Sequence, residues 1–248
     1  MPLKPYRCSA PCHGVVIRRV KERLRLSYIT IRPSPSKERG TKGVRLINNQ
    51  IYLPPPSQKG GMSLAEAIAR RRSIRDFTPE PISQSQLSEI LWAAQGITDK
   101  SWRCRTVPSA GATYPLEFFV VCGGGIKEMD DGIYHYNIDS HSLTRHYQGD
   151  VRLQLARAAL DEESIYQAPV DIVICAEYER TLGRYGARGE RYVHIEVGHA
   201  GQNIYLQATA LGLATVAIGA FHDEQVREVL RLDKQTKPLY IMPLGRPA

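Results

Sequence analysis

The chain has 248 residues, 42% apolar and 23% charged, the make-up of a globular protein with a well-buried core in one large or two small domains. Its formal net charge of +8 attracts nucleic acid, anionic surfaces and phosphorylated ligands alike, so charge selects none of them. No apolar run reaches the ~20 residues of a membrane span, the VVI run near the start is too short for a secretory signal, and the five cysteines make an odd count, so a reducing, cytoplasmic location is expected.

Residues 1–62 are the least regular part. Cys8, Cys12 and His13 (CSAPCH) could start a zinc site, but no second Cys/His pair follows, so no metal is expected. RPSPSKERGTKG and LPPPSQKGG read as linkers around short strands, VVIRRV and RLINNQIYL. The regular domain is expected to begin at Ser63, which leaves an irregular extension over 1–62 and one domain over 63–248.

Ser63 and Glu66 have capping-box spacing and predict a helix to near Arg71. Ser83 and Gln86 repeat the spacing before QLSEILWAAQG, a helix with Leu87, Ile90, Leu91 and Ala94 on one face and a stop at Gly96. EFFVVCGG is a strand. GIYHYNI and SLTRHY are strands joined by a turn at Asp139-Ser140. VRLQLARAAL is a short helix and PVDIVICAEY another strand, and Cys122 and Cys175 are small core hydrophobes within such runs. Residues 190–211 form the longest helix, where Gly198 and Gly201 share a face suited to close packing against another helix. LATVAIG, a helix over HDEQVREVLRL and a last strand, PLYIMPLG, follow. Mixed helices and short apolar strands imply an α+β or α/β sheet covered by helices.

Three segments carry chemistry. RRRSIRDF places Arg70, Arg71, Arg72 and Arg75 around Ser73 at a helix end. Arg forks and a hydroxyl suit a terminal phosphate, a helix C-terminus also favours plain solvated cations, and a nucleic-acid contact is the third reading. In an extended segment Arg71, Ser73 and Arg75 face one way, with Arg70 and Arg72 pointing elsewhere. The loop Ser109-Ala110-Gly111-Ala112-Thr113, flanked by Pro108 and Pro115, is small enough for a planar ligand to approach its backbone. Ile218-Gly219-Ala220 ends a strand just before a helix, where amides face outward. There is no GxGxxG, P-loop, HExxH or GxSxG pattern. His194 and His199 are five apart and read as core or interface residues, while Trp92 and Trp102 read as core or pocket walls.

As an ordered set, RRSIRDF, PSAGATYPLE, ERYVHIEVGHAGQNIYLQATALGL, VAIGAF and PLGRP resemble the flavin-dependent nitroreductase family, and within it the SagB-type dehydrogenase branch, from about Ser63 onward. The resemblance implies a homodimeric α+β fold with a mostly antiparallel central sheet between helices, and FMN bound non-covalently at the dimer interface. It places the cofactor phosphate and ribityl chain on Arg71, Ser73 and Arg75, with Arg72 in the same segment and Arg246 adding a contact. It puts Ser109 to Thr113 against the flavin pyrimidine, Ile218, Gly219 and Ala220 beside the isoalloxazine, and the long helix in the dimer interface. NAD(P)H or an organic electron donor would supply electrons to a nitro, quinone or related acceptor. The alternative is an azoline-type dehydrogenase acting on a modified peptide, and a nucleic-acid-binding protein is the rival from another class.

Two departures stand out. Many nitroreductases carry Asn-Ser-Gln-Pro where this chain has Ala112-Thr113-Tyr114-Pro115, so the backbone or Thr113 would have to replace the Asn contact. The Lys-Tyr pair of azoline oxidases becomes Arg191-Tyr192, and arginine is a poor base, which leaves the pair a role in steadying a tyrosinate or an anionic substrate, or merely a packed Tyr beside a solvated Arg. Specificity would lie in loops 97–107 and 178–190, the second rich in Gly and Arg and read as a lid.

Overall fold

The computed structural model describes residues 50–57, 59–127 and 129–248. Its centre is a seven-stranded, wholly antiparallel sheet in the order β1-β6-β5-β4-β7-β9-β8. The strands are β1 (Gln50–Tyr52), β4 (Leu116–Cys122), β5 (Gly132–Asn137), β6 (Ser142–Gln148), β7 (Val170–Glu177), β8 (Ala214–Thr215) and β9 (Thr236–Gly245). A separate hairpin pairs β2 (Ile97–Asp99) with β3 (Cys104–Arg105). The helices are α1 (Leu64–Arg70), α2 (Gln84–Gln95), α3 (Arg152–Ala158), α4 (Glu163–Gln167), α5 (Glu179–Tyr185), α6 (Arg188–Ala210) and α7 (Asp223–Val229).

Side chains alternate across the sheet with the period of two that a strand imposes. Leu116, Phe118, Val120 and Cys122 of β4 join one core, under α2 and α6, while Phe119 and Val121 join the other, under α3 and α7. The fold is therefore a sheet between two helical layers. Val193, Val197, Ala200, Ile204 and Ala208 are the buried stripe of α6, spaced as a helix face requires. Ser63 caps α1 by accepting the Glu66 amide, and Ser83 and Gln86 complete a reciprocal box on α2.

Several expectations need correction. Among the described residues the sheet already includes Gln50–Tyr52, because β1 pairs with β6 through Ile51 and Leu143, so Ser63 opens the first described helix and not the regular structure. Gly96 does end α2, as expected, though in extended backbone, φ −63° and ψ 155°, and glycine is needed because the Trp92 ring fills the place a Cβ would take. Gly201 lies against Tyr240 and Met242 of the sheet rather than a helix, and a Cβ at Gly198 would meet nothing among the described residues of this chain. Segment 97–107 is mostly a hairpin, and 178–190 contains α5, which ends at Gly186 with φ 55°. The glycines of that segment hid a two-turn helix whose packing on α6 outweighs its weak propensity. LATVAIG contributes only the two residues of β8 and a bridge from Ile218 to Ile241. Cys8, Cys12, His13 and the VVIRRV strand lie outside the described residues. Among the described residues no helix is long and apolar enough to cross a membrane.

Candidate functional site

The segment after α1 runs along one edge of the sheet. Its Ile74 amide bonds to Thr215 of β8, Phe77 bridges Pro247, and the Thr78 amide bonds to the Arg246 carbonyl. These bonds bring the arginine cluster and the chain's closing residues together. The four arginines then part. Arg70 pairs with Glu66 one turn back at 2.7 Å. Arg72 folds over the end of α1 and donates to the Ala69 and Arg71 carbonyls, so it caps a helix. Arg75 reaches Glu162 at 3.6 Å, and Arg246 reaches Glu80 at 3.2 Å. Arg71 is half-buried, and its guanidinium lies 5.1 Å from the centre of the Tyr205 ring. Among the described residues it has no carboxylate partner.

Tyr205, on α6, ties this segment to the strand end beyond β8. Its hydroxyl is 2.9 Å from Ser73 Oγ and accepts the Ala217 amide at 2.7 Å. The next residue, Ile218, is taken up by the sheet: its amide and carbonyl both bond to Ile241, and its side chain is buried in the core under α7. Gly219 and Ala220 are exposed. A Cβ at Gly219 would touch the Tyr240 ring at 3.4 Å, and one at Gly201 would touch it at 3.5 Å from the other edge. Gly201, Tyr240 and Gly219 thus make a row of small and flat groups, with Tyr205, Arg71 and Ser73 at one end.

The second set sits elsewhere. Ser109 donates to Glu196 of α6 at 2.6 Å and accepts the Tyr114 amide at 2.9 Å, while Gln95 of α2 donates to the other Glu196 oxygen at 3.2 Å. Glu196 is buried; desolvation pushes its carboxyl above the ordinary range, against the bonds from Ser109 and Gln95. Gly111, Ala112 and Tyr114 all have positive φ (60°, 55° and 46°), so the loop is wound tightly. Arg184 donates to the Gly111 carbonyl and Arg180 to that of Tyr114, which ties α5 over the loop. Thr113 gives its one proton to the Ala110 carbonyl and meets Thr181 at 2.8 Å, so its side chain faces inward. Arg105 stacks on Tyr114 at 4.0 Å.

A cavity of about 230 Å³ opens between this loop and α6, lined by Pro108, Ser109, Ala110, Tyr192, Glu196 and His199. Tyr192 meets Tyr185 edge to face at 5.0 Å, and Arg191 is exposed. His194 and His199 are exposed rather than core residues, and His194 hydrogen-bonds the Tyr178 hydroxyl at 2.6 Å. Burial pushes that phenol up to about 12. Trp102 stands at the hairpin tip, 82% exposed, and walls nothing; Trp92 lines a separate cavity with Pro55, Pro56 and Tyr136.

The structure therefore brings Arg71, Ser73, Gly219 and Ala220 to one flank of α6 and Ser109 to Thr113 to the other. At about 100° per residue, Tyr205 and Glu196, nine positions apart, point in opposite directions. Between the flanks lies the outer face of α6, with Ile195 49% exposed. Glu196 escaped the sequence reading, although a lone acid within an apolar stripe, Val193-x-x-Glu196-Val197, is the signal that points to it. Tyr205 has no such signal, because nothing in sequence distinguishes it from a packed aromatic.

A family model described as the Nitroreductase family matches residues 68–246. The chain is 46% identical over 197 residues, 79% of its length and 96% of the other's, to "Putative nitroreductase MJ1384" of Methanocaldococcus jannaschii. It is 29% identical to the microcin B17-processing protein McbC of Escherichia coli, over 79% of this chain and 75% of that one. The crystal structure of a "putative nitroreductase" from Ralstonia eutropha superposes with a TM-score of 0.72 at 27% identity, covering 83% of this chain and 93% of that one.

Proposed function

The chain belongs to the nitroreductase family, a family of oxidoreductases, and on that premise we propose that it is an FMN-dependent enzyme working as a homodimer. The observation that carries this is the half-buried, carboxylate-free Arg71 beside the exposed Ser73 hydroxyl, at the end of a floor formed by Gly201, Tyr240 and Gly219. A guanidinium and a hydroxyl fit a phosphate, and the glycines leave room for a flat ring. Arg75, in a long and loose pair with Glu162, can turn toward the same anion, and the partly buried Arg246, paired with Glu80, lies at the end of the chain segment beside it.

The bound flavin supplies the redox chemistry, accepting a hydride from a donor and passing electrons to an acceptor. The protein's part is to hold and shield it. Loop 109–113 is on the wrong flank of α6 to meet that flavin within one chain. A second copy packed on the outer face of α6 supplies the loop, so each site is built from both protomers. Leu64 and Ile68 of α1, 67% and 56% exposed and one turn apart, and Ile195 of α6 give that contact an apolar component. Backbone groups of Ala110 to Thr113 then face the pyrimidine edge, and Glu196 and Gln95 keep the loop in register from beneath.

NAD(P)H is the proposed donor, with a nitro, quinone or related small molecule as acceptor. A second reading, a dehydrogenase of the azoline-oxidising kind acting on a modified peptide, is favoured by the likeness to McbC and by Tyr192 in the cavity beside loop 109–113. Visible spectra decide. Bands at about 370 and 450 nm in the purified protein establish the flavin. Anaerobic bleaching by NADH or NADPH supports the reductase, and bleaching only by an azoline-containing peptide supports the second reading. A colourless protein that takes up no added FMN refutes both.

A further inference from the structure

Tyr205 stands at the one point where the arginine segment, the long helix and the strand end beyond β8 meet. Its hydroxyl has one proton to give. The Ala217 amide can only donate, so at 2.7 Å it occupies a lone pair of the Tyr205 oxygen. The contact to Ser73 Oγ at 2.9 Å can run either way. If Ser73 donated, the Tyr205 proton would have no acceptor among the described residues. If Tyr205 donates, the Ala217 and Tyr205 protons are both used and the Ser73 proton alone is left over. Ser73 is exposed, so that proton faces outward, on the side where the Arg71 guanidinium lies over the Tyr205 ring.

We propose that Tyr205 is a positioning residue for a phosphate monoester: the relay Ala217 N–H to Tyr205 to Ser73 fixes the serine hydroxyl as a donor, and the Tyr205 ring steadies the arginine beside it. This rests on the reading of Arg71 and Ser73 as the phosphate end of the FMN site. A phosphate dianion accepts and does not donate, so it selects this polarity of the relay. Tyr205 itself touches no ligand; it acts through Ser73 and Arg71.

The discriminating pair of ligands is FMN and riboflavin, which share the ring and ribityl chain and differ in the phosphate. Binding of each to the apoprotein dimer is followed by quenching of flavin fluorescence. Tyr205→Phe keeps the ring and removes the hydroxyl. It is expected to weaken FMN about tenfold, the size of one hydrogen bond to a charged group, and to leave riboflavin within about twofold. Ser73→Ala is expected to do the same, and Tyr205→Phe added to Ser73→Ala to change FMN binding no further, since the relay is already cut. Equal losses for both flavins, or no loss for FMN, would show a merely structural tyrosine and overturn the proposal. Should Tyr205→Phe fail to fold, Ser73→Ala carries the test alone on an exposed side chain, and retained FMN preference in it overturns the relay. A wild-type chain that binds riboflavin as tightly as FMN sinks the phosphate site itself, a different failure from a wild type that prefers FMN and a variant that does so equally.

Discussion

Asp171 offers the sharpest test of the electrostatics. It lies on β7 between Val121 of β4 and Pro243 of β9, fully buried, and a proline has no amide to offer it. Both carboxyl oxygens lack a hydrogen-bond partner among the described residues. The cation that acts on it, Arg152, is held by Asp150 through Nε at 3.0 Å and a terminal nitrogen at 2.8 Å, and by the Ala168 carbonyl at 2.8 Å. Burial therefore raises the Asp171 carboxyl well above the ordinary range, with Arg152 opposing too weakly and Asp150 adding to the rise. At pH below the unfolded value both states are protonated and the group has no effect. Above it the unfolded chain ionises while the folded one stays neutral, so stability falls with pH by about 1.4 kcal/mol per unit until the folded group ionises. Asp171→Asn removes that dependence. Urea unfolding should show the variant gaining on the wild type by about 1.4 kcal/mol between about pH 4.5 and 5.5, whatever the offset at the lower pH. Histidines and surface acids cancel in the difference. Burial also pushes Asp150 up, but its bonds from Arg152 outweigh this and hold it low, so it stays ionised across the interval. A difference that is flat, or that shrinks with pH, would refute the neutral buried acid.

Gly219→Ala should leave thermal stability almost unchanged, since the new methyl only touches Tyr240 at 3.4 Å, yet weaken FMN about tenfold or more by filling the floor of the site; equal FMN affinity in a fluorescence titration would move the flavin elsewhere. Glu196→Ala strands the Ser109 hydroxyl and the Gln95 amide in the interior and should cost about 2–4 kcal/mol in urea unfolding, and a cost under about 0.5 kcal/mol would mean that the loop is not held from beneath. Gly111→Ala combines φ 60° with a Cβ 2.5 Å from the Tyr185 hydroxyl, so it should inactivate by displacing loop 109–113. Co-expressed with Arg71→Ala, itself weak in FMN, it should restore about a quarter of wild-type activity, because half the dimers are mixed and each mixed dimer has one intact site; no restoration would place both sets in one chain.

The sheet was legible because its strands are short apolar runs that only a doubly covered sheet can bury, as in Val170–Cys175. Capping-box spacing announced α1 and α2: the serine satisfies a first-turn amide in both, and in α2 Gln86 returns the bond to complete the box, while in α1 Glu66 turns to Arg70 instead. What escaped depends on packing. Helix α5 carries Gly183 in its middle and forms because α6 supports it. Ile218 looked like a ligand-facing residue, yet the register of β9 takes both its backbone groups. The inward turn of Thr113 depends on Thr181, a partner 68 positions away.

The arginine run shows why charge alone could not choose between a solvated face, a nucleic acid and a phosphate. Four like residues within six positions have four different surroundings, and only the fold assigns them. Arg70 has Glu66 at the favourable helical spacing, and Arg72 has the carbonyls that every helix end leaves unpaired. Both would exist whatever the protein bound. A nucleic-acid surface needs several free cations spread along a backbone, whereas here two of the four are used by their own helix and Arg75 is shared with Glu162. What is left over within the run is a single half-buried guanidinium beside an exposed hydroxyl, both in contact with Tyr205. On the proposed reading that pair serves one phosphate rather than a polyanion.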